Sequence, residues 1–173
     1  TVVGWGTGIS PSQFNTKVAV IEQALDVNKD LIDDAHLMTN PEKGISFLSA
    51  LGGFEIGILT GIALGAAANR VPIVIDGVIS ATAVLLASLV TPSLKKFTIP
   101  SHLSPEPGHK IVLEMLEHKE AIFDLQMRLG EGSGAALAIN LCDVACRLLN
   151  DMATFAEADV STRSPATKTE EYK

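Results

Sequence analysis

The amino-acid sequence predicts an α/β protein with a mostly parallel sheet. Short apolar segments typical of buried parallel strands alternate with longer segments that have helical periodicity. The chain of 173 residues is 47% hydrophobic but only 5% aromatic, so small and branched aliphatic side chains must fill its core. This composition excludes intrinsic disorder for the body of the chain, and the length suffices for one domain with a sizeable core.

The first predicted unit is a strand end, a glycine turn and a helix. Residues 1–3 are expected to end a strand, and three glycines interrupt the chain in the first glycine turn, residues 4–8. A helix is predicted to begin after Ser10, with Pro11 at its first position and Gln13 returning the capping hydrogen bond. A buried stripe is expected from Val18, Ile21, Ala24 and Leu25.

A polar connection and two apolar helices come next. Residues 28–44 are predicted to connect elements with at most a short helix. A helix is predicted at about residues 54–69, and it should pack tightly on the sheet because glycines recur every four residues along it. This glycine ridge comprises Gly53, Gly57, Gly61 and Gly65. Residues 71–75 are predicted to form a buried parallel strand, and residues 78–90 the next helix.

The alternation continues after residue 90. We predict a short strand at residues 97–100, then a loop rich in proline and polar groups at residues 101–109. A helix is expected at residues 111–118, whereas residues 122–129 fit a strand or a helix equally well.

The last predicted elements are a turn, a helix and a tail. The second glycine turn, residues 130–134, introduces a long helix from residue 135 to about residue 150. Residues 159–173 lack apolar periodicity and are expected to be disordered. The complete pattern predicts a Rossmann-like three-layer sandwich, with helices on both faces of a mostly parallel sheet.

Four segments should meet at one edge of this sheet. Ligands of parallel α/β sheets bind at the carboxyl ends of the strands, where the connecting loops converge. The two glycine turns, the pair Asp76 and Gly77, and the loop at residues 101–109 occupy such positions. Their convergence is the main argument from the residues for a site.

Two charged residues beside the glycine turns could carry the chemistry of that site. Glu131 lies between glycines just before a helix, where free backbone amides favour an anion and a ligand can come close. The alternative is that Glu131 only complements the helix dipole. Lys17 could reach a phosphate held by the first glycine turn, although a lone lysine on an amphipathic helix is more often solvated.

The remaining candidates are an aspartate and two histidines. Asp76 ends a buried strand and could bind a ribose hydroxyl, or it could cap the following helix. His102 and His109 share a loop with Glu106 and superficially resemble metal ligands. Because they lack a fixed helical spacing and a cysteine partner, we expect no metal site.

Charge and hydropathy exclude several classes of protein. The net charge of −7 argues against sequence-independent binding of nucleic acid, which depends on basic side chains. The apolar segments at residues 56–68 and 78–90 are shorter than the roughly 20 residues that a bilayer span needs, so we expect no membrane partner. Cys142 and Cys146 have a spacing that suits packing on one helix better than a disulfide, which predicts a reducing, cytoplasmic location.

Six motifs occur in an order that is specific to one enzyme family. They are Gly4-x-Gly-Thr-Gly8 with Lys17; Gly52-Gly-Phe-Glu-Ile56 with Thr60-Gly61 and Leu64-Gly-Ala-Ala-Ala68; Pro72-Ile-Val-Ile-Asp-Gly77; Ser104-Pro-Glu-Pro-Gly-His109; Leu129-Gly-Glu-Gly-Ser-Gly-Ala-Ala-Leu137; and Met152-Ala-Thr-Phe-Ala-Glu157. Over most of residues 2–158 the chain resembles the nicotinate-nucleotide:dimethylbenzimidazole phosphoribosyltransferases. Residues 1–158 would then be the C-terminal portion of the family's α/β domain.

The resemblance implies an activity and a set of site residues. The family transfers phosphoribose from nicotinate mononucleotide to 5,6-dimethylbenzimidazole, giving α-ribazole phosphate for the lower ligand of cobalamin. Glu131 matches the catalytic glutamate, and the resemblance implies neither a metal nor a cofactor. The positions expected to bind phosphate and ribose are Gly6, Thr7, Gly8, Lys17, Asp76, Gly77, Ser104, Glu106, Gly130, Gly132 and Ser133.

Three departures from the family keep other hypotheses open, and one is the segment between Leu25 and Gly44, which looks longer than the family's usual connection. The family's chain is roughly twice as long, so we expect a homodimer or association with a missing N-terminal half, and an inactive isolated chain. Trp5 stands where we expect an arginine between the first two glycines. The alternatives are a non-catalytic homologue or fragment that acts as a binding or structural module, and transfer to a different azole or a phenol.

Overall fold

The computed structural model describes residues 2–6 and 8–161 as an α/β fold in which helices predominate. In chain order the elements are α1 (Pro11–Val27), α2 (Lys29–Asp33), α3 (Asn40–Leu51), α4 (Phe54–Ala68), β1 (Ile73–Ile75), α5 (Val78–Val90), β2 (Thr98–Pro100), α6 (Pro107–Met115) and α7 (Ser133–Asp151). Two 3-10 turns, Asp34–Leu37 and Pro92–Phe97, complete the set. Residues 162–173 of the predicted tail lie outside the described residues.

The sheet is parallel, as predicted. β1 pairs with β2 in a register that places Ile73 opposite Thr98 and Ile75 opposite Pro100. The amide of Ser101 donates to the carbonyl of Ile75 at 2.9 Å, which continues the pairing beyond β2. Both strands are shorter than predicted, and α5 forms the crossover between them.

The ambiguous segment at residues 122–129 forms neither a helix nor a regular strand. One isolated parallel bridge joins Phe123 to His102, and the Phe123 amide donates to the Ser101 carbonyl at 2.9 Å. In the part of the chain that the structure describes, the sheet therefore has two strands. The three-layer arrangement stays a prediction for this reason.

The core is built around α5 from small aliphatic side chains. Ala81, Ala83 and Ala87 are fully buried, and Ile75 and Leu94 complete the centre of the core. Small residues allow neighbouring helices to approach closely: a Cβ atom at Gly44 of α3 would lie 3.1 Å from the carbonyl oxygen of Leu86. The structure thus confirms the aliphatic core expected from the composition.

The N-terminal region corrects two predictions. Val2 and Val3 are not in a strand, so the predicted strand end is wrong for the residues described there. The capping box of α1 is confirmed, because the Gln13 amide donates to Ser10 Oγ and the Ser10 amide donates to Gln13 Oε1. The expected buried stripe is wrong, since no residue of α1 is buried.

Residues 28–44 contain more helix than predicted. α3 begins at Asn40, where Thr39 donates from its amide and its hydroxyl to the Glu42 carboxylate at 2.8 and 2.7 Å. Pro41 in the first turn favours the same start. This Thr-x-x-Glu pattern is a helix signal that the polar composition of the segment conceals.

The glycine ridge of α4 does not pack on the sheet as expected. A Cβ atom added at Gly61 or Gly65 would meet nothing within 4 Å. The buried residues of α4 are Thr60 and Ala63, and the Thr60 hydroxyl lies 3.2 Å from the Ala83 carbonyl on α5. α4 therefore packs through a different face, and its ridge is open at Gly61 and Gly65.

The described residues cluster into two compact units divided between Ile139 and Asn140. The second contains the C-terminal part of α7 and a turn in which the Thr154 amide donates to Glu157 Oε2 at 2.8 Å. Cys142 and Cys146 are both free. No helix within residues 2–6 and 8–161 has the length and apolar character needed to cross a bilayer.

Candidate active site

The four segments predicted to converge line one cavity of about 1010 Å³ in the first unit. Its walls include Gly6 of the first glycine turn, Gly77 after β1, Ser104 in the loop after β2, and Gly130 in the second glycine turn. Two short parallel strands thus suffice to bring chemically distinct loops together.

Nine of the predicted site residues line the cavity: Gly6, Lys17, Asp76, Gly77, Ser104, Glu106, Gly130, Glu131 and Gly132. Gly8 and Ser133 do not line it, and Thr7 lies outside the described residues. The Ser133 hydroxyl is instead buried, without a hydrogen-bond partner among the described residues.

The second glycine turn contains a left-handed segment of three residues. The φ angles of Gly130, Glu131 and Gly132 are +75°, +55° and +75°. Glycine adopts this conformation freely, whereas for a residue with a Cβ atom it costs about 1–2 kcal/mol. The Ser133 amide donates to the Gly130 carbonyl at 3.0 Å, and the Ala136 amide to the Gly132 carbonyl at 2.8 Å. These bonds fasten the turn to α7, so the exposed Glu131 has a fixed backbone despite its strain.

Asp76 caps a helix, but a different helix from the one expected. Its Oδ1 accepts hydrogen bonds from the amides of Gly134 at 2.9 Å and Ala135 at 3.0 Å, in the first turn of α7. The helix that follows Asp76, α5, has Gly77 at its N-cap and no side-chain cap. Two of the amides expected to favour an anion near Glu131 are therefore satisfied from within the protein.

Two cations lie beside the first glycine turn. Lys17 Nζ donates to the Gly4 carbonyl at 2.7 Å, and Arg128 Nη2 lies 3.4 Å from the Gly6 carbonyl oxygen. Both line the cavity, together with the carboxylates of Glu55, Asp76, Glu106 and Glu131. The sequence patterns did not single out Arg128, although its place directly before the Leu129-Gly-Glu-Gly motif was a usable signal.

Trp5 has an aromatic partner within the same region. Its ring stacks on Phe14 of α1 with centroids 4.4 Å apart and planes inclined by 18°. Trp5 is thus accommodated by a packing contact, and Arg128 supplies a second cation near the turn.

A buried histidine orders the loop after β2. His109 is fully buried, and its Nδ1 accepts from the Ser104 amide at 3.0 Å. Burial, reinforced by the neighbouring His102, lowers the pKa of His109 to about 4, although Asp76 opposes this shift. The ring is therefore neutral at pH 7, and the accepting Nδ1 places its proton on Nε2.

His102, which lines the cavity, forms a polar cluster with His109. Their ring centroids are 6.2 Å apart, and His102 Nδ1 lies 3.1 Å from Ser101 Oγ and 3.8 Å from Asp76 Oδ1. Within the described ranges, no three histidine, cysteine, aspartate or glutamate residues are arranged to hold a metal ion.

Comparison with known proteins defines the class. A phosphoribosyltransferase family model matches residues 1–160. The chain belongs to this family of phosphoribosyltransferases. Its relatives include the nicotinate-nucleotide-dimethylbenzimidazole phosphoribosyltransferase of Chloroflexus aggregans, 47% identical over 95% of this chain and 44% of the relative. A protein of the same name from a Roseiflexus species is 46% identical over 92% of this chain and 42% of the relative.

A solved structure supports the same assignment. The crystal structure of CobT from Thermus thermophilus matches 94% of this chain and 45% of that chain, with a TM-score of 0.75 and 36% identity. The chain therefore spans less than half the length of the relatives and the solved structure described here.

Proposed function

We propose that this chain supplies the catalytic carboxylate and the phosphate-binding loops for transfer of phosphoribose from nicotinate mononucleotide to 5,6-dimethylbenzimidazole. The products would be nicotinate and α-ribazole phosphate. The observation that carries the proposal is the left-handed turn at Glu131, which holds a carboxylate at the edge of a cavity that also contains Lys17 and Arg128. The names of the relatives support the choice of substrates.

The proposed chemistry requires one base. The bond between C1′ and the pyridinium nitrogen of nicotinate breaks, and its electron pair returns to that nitrogen, so this leaving group needs no general acid. One benzimidazole nitrogen attacks C1′, and the proton on the other ring nitrogen must leave. In our proposal the Glu131 carboxylate accepts that proton.

The proposed phosphate site lies beside the first glycine turn. Lys17 and Arg128 both contact carbonyl groups of this turn, so their positive charges are concentrated near Gly6. A phosphate placed there would be neutralised by two cations. In our proposal the glycine-rich backbone at residues 6–8, Gly77, and the loop at Ser104 and Glu106 contact the ribose and phosphate.

The remainder of the site would come from a complementary segment. α4 exposes an apolar stripe on which Phe54, Ile58 and Ile62 are 94%, 64% and 60% exposed. Such a stripe beside an open glycine ridge is suited to packing by further protein. We propose that the family's N-terminal half covers it and extends the two-stranded sheet into a three-layer, Rossmann-like sandwich. The complete protein would form a homodimer, and the free cysteines fit a cytoplasmic location.

The proposal is tested by assaying the chain with nicotinate mononucleotide and dimethylbenzimidazole, alone and with the N-terminal half of a relative. We expect α-ribazole phosphate only from the combined proteins. Glu131→Gln should lower the rate by about 10²–10⁴-fold, the usual contribution of a general base. The matched control Glu114→Gln, a carboxylate outside this cavity, should retain activity. A rate of product formation that is unchanged in Glu131→Gln would refute the assignment of the base.

A second candidate function is favoured by Trp5. Because its indole occupies the position of the expected arginine and stacks on Phe14, the chain fits a non-catalytic binding module as well. Absence of product with the added N-terminal half, together with retained binding of nicotinate mononucleotide in calorimetry, would select this function. Parallel assays with other azoles and with a phenol test whether a different acceptor is used.

A further inference from the structure

The end of β1 is joined to the start of α7 by a single carboxylate. Asp76 Oδ1 accepts the amide hydrogens of both Gly134 and Ala135, which are 58 and 59 residues away in the sequence. The Asp76 side chain is largely buried, and its own amide donates to Ser80 Oγ at 3.0 Å. The backbone of Asp76 is therefore held by α5, and its carboxylate acts as an N-terminal cap for α7 supplied from outside that helix.

A second contact limits the position of the same helix turn. A Cβ atom on Gly134 would overlap the imidazole ring of His102, so the α7 backbone approaches this buried ring as closely as glycine permits. His102 Nδ1 also lies 3.8 Å from Asp76 Oδ1. The first turn of α7 is thus fixed by two hydrogen bonds on one side and by ring contact on another.

The second glycine turn, which contains Glu131, is attached directly to this first turn of α7. Glu131 precedes Gly134 by three residues, and the two hydrogen bonds from Ser133 and Ala136 tie the left-handed turn to α7. Since Glu131 is strained and exposed, its direction depends on what holds α7 rather than on packing of its own side chain. Displacement of the helix end would move the carboxylate relative to the cavity.

We propose that Asp76 is a positioning residue, whose carboxylate fastens α7 to the end of β1 and thereby aims Glu131 at the reacting base. This inference rests on the proposed function of Glu131. It differs from the expectation that Asp76 binds the ribose, because the Oδ1 atom is already occupied by two backbone amides. Misplacement of a reacting group by about 1 Å can lower a rate by about 10²-fold.

The first test measures kinetics of Asp76→Ala and Asp76→Asn in the chain combined with the N-terminal half of a relative. Asp76→Ala should lower kcat by about 10²-fold, with less than a roughly threefold change in the dissociation constant of nicotinate mononucleotide. Asp76→Asn keeps an acceptor oxygen and should restore kcat to within about tenfold of the parent. A large loss of nucleotide affinity in both variants would instead identify Asp76 as a ribose ligand and overturn the proposal.

The second test does not depend on activity. Hydrogen exchange of the 173-residue chain should show that Asp76→Ala accelerates exchange of the Gly134 and Ala135 amides by at least about tenfold, while the amides of α6 are unchanged. Asp76→Asn should retain most of the protection. Unchanged protection in Asp76→Ala would refute the anchoring role. If Asp76→Ala loses the protection while Glu131→Gln keeps full activity, the anchoring of α7 by Asp76 stands, but the proposed function of Glu131, and with it the catalytic role of Asp76, is refuted.

Discussion

Glu131, the proposed base, has an unfavourable backbone conformation. Its φ of +55° lies between two glycines that adopt the same region freely. Strain in a residue that lines a cavity is the kind of cost that proteins retain at functional sites. The carboxylate is thus placed by its neighbours against its own conformational preference.

This strain predicts a gain in stability on mutation. Glu131→Gly should raise the free energy of unfolding by about 0.5–1 kcal/mol, because relief of the left-handed strain exceeds the added entropy of the unfolded chain. Urea denaturation provides the measurement. Glu120→Gly, at an exposed position that is not in the left-handed region, is the control and should lower stability. A stability loss in Glu131→Gly would show that the carboxylate has favourable contacts that outweigh the strain.

His109 predicts a dependence of stability on pH. Its pKa is lowered from 6.5 to about 4 in the folded protein, mainly by burial. Below pH 6.5 the unfolded chain binds a proton that the folded chain does not, so the free energy of unfolding falls as the pH decreases towards 4. Between about pH 7 and about pH 5 this residue alone should account for a decrease of about 2 kcal/mol.

The variant His109→Asn tests this dependence. Asparagine can keep an acceptor for the Ser104 amide but does not titrate. Urea denaturation at about pH 7 and about pH 5 should give a smaller decrease for His109→Asn than for the parent chain. His118, whose pKa is also lowered by burial and by Lys95, supplies a background that both proteins share. Equal decreases in the two proteins would contradict the assignment to His109.

At the scale of elements, two helical glycines have opposite surroundings. A Cβ atom at Gly134 of α7 would collide with the buried His102 ring, whereas one at Gly61 of α4 would meet no atom within 4 Å. Gly134→Ala should lower the free energy of unfolding by about 1–3 kcal/mol through overpacking. Gly61→Ala should raise it by about 0.5–1 kcal/mol in this chain, because alanine favours the helix. Thermal or urea unfolding of the two variants measures these changes. Changes of the same sign in both variants would contradict the prediction.

The sequence predicts elements well where local signals agree. α5 has the predicted bounds, Val78–Val90, because an apolar segment is flanked by Gly77 and Thr91-Pro92. α3 is not predicted from the sequence, because the aspartates and asparagines of residues 28–44 suggest a loop, while the start of the helix depends on Thr39, Pro41 and Glu42. Core packing and helix capping thus decide where a helix forms, even where the average composition of a segment suggests a loop.

The candidate site was partly predictable for a related reason. Glycine turns and strand ends are visible as local patterns, and they lead to Gly6, Asp76 and Glu131. The bonds from Gly134 and Ala135 to Asp76 are not visible, because they join residues 58 and 59 positions apart. The sequence does not single out Arg128, because one arginine forms no periodic pattern. Its proximity to Gly6 is seen only in the structure.

At the scale of the whole molecule, the chain exposes large apolar side chains that are not packed in its core. The exposed stripe of α4 lies on a helix whose glycine ridge is also open. Relatives of more than twice this length contain additional protein that could cover such a surface. This chain and its relatives therefore differ in extent, and the exposed stripe lies on the part that they share.

The proposed complementary segment predicts a reversal of one mutational effect. Gly61→Ala should stabilise the 173-residue chain but weaken its association with the N-terminal half of a relative, because the added methyl would obstruct close packing at the ridge. Calorimetric titration of the two proteins measures this loss. Lys119→Ala, outside α4, is a control that should leave the affinity within about twofold. Unchanged affinity in Gly61→Ala would place the complementary segment elsewhere.

The bond from Asp76 to the first turn of α7 also has a consequence for how the molecule folds. It closes a loop of 58 residues that contains α5, β2 and α6. Closing a loop of this size costs entropy before any contact compensates for it, so such contacts tend to form late. We therefore expect Glu131 to reach its final position in the cavity only after the intervening elements have assembled, so partly folded chains would lack the proposed site.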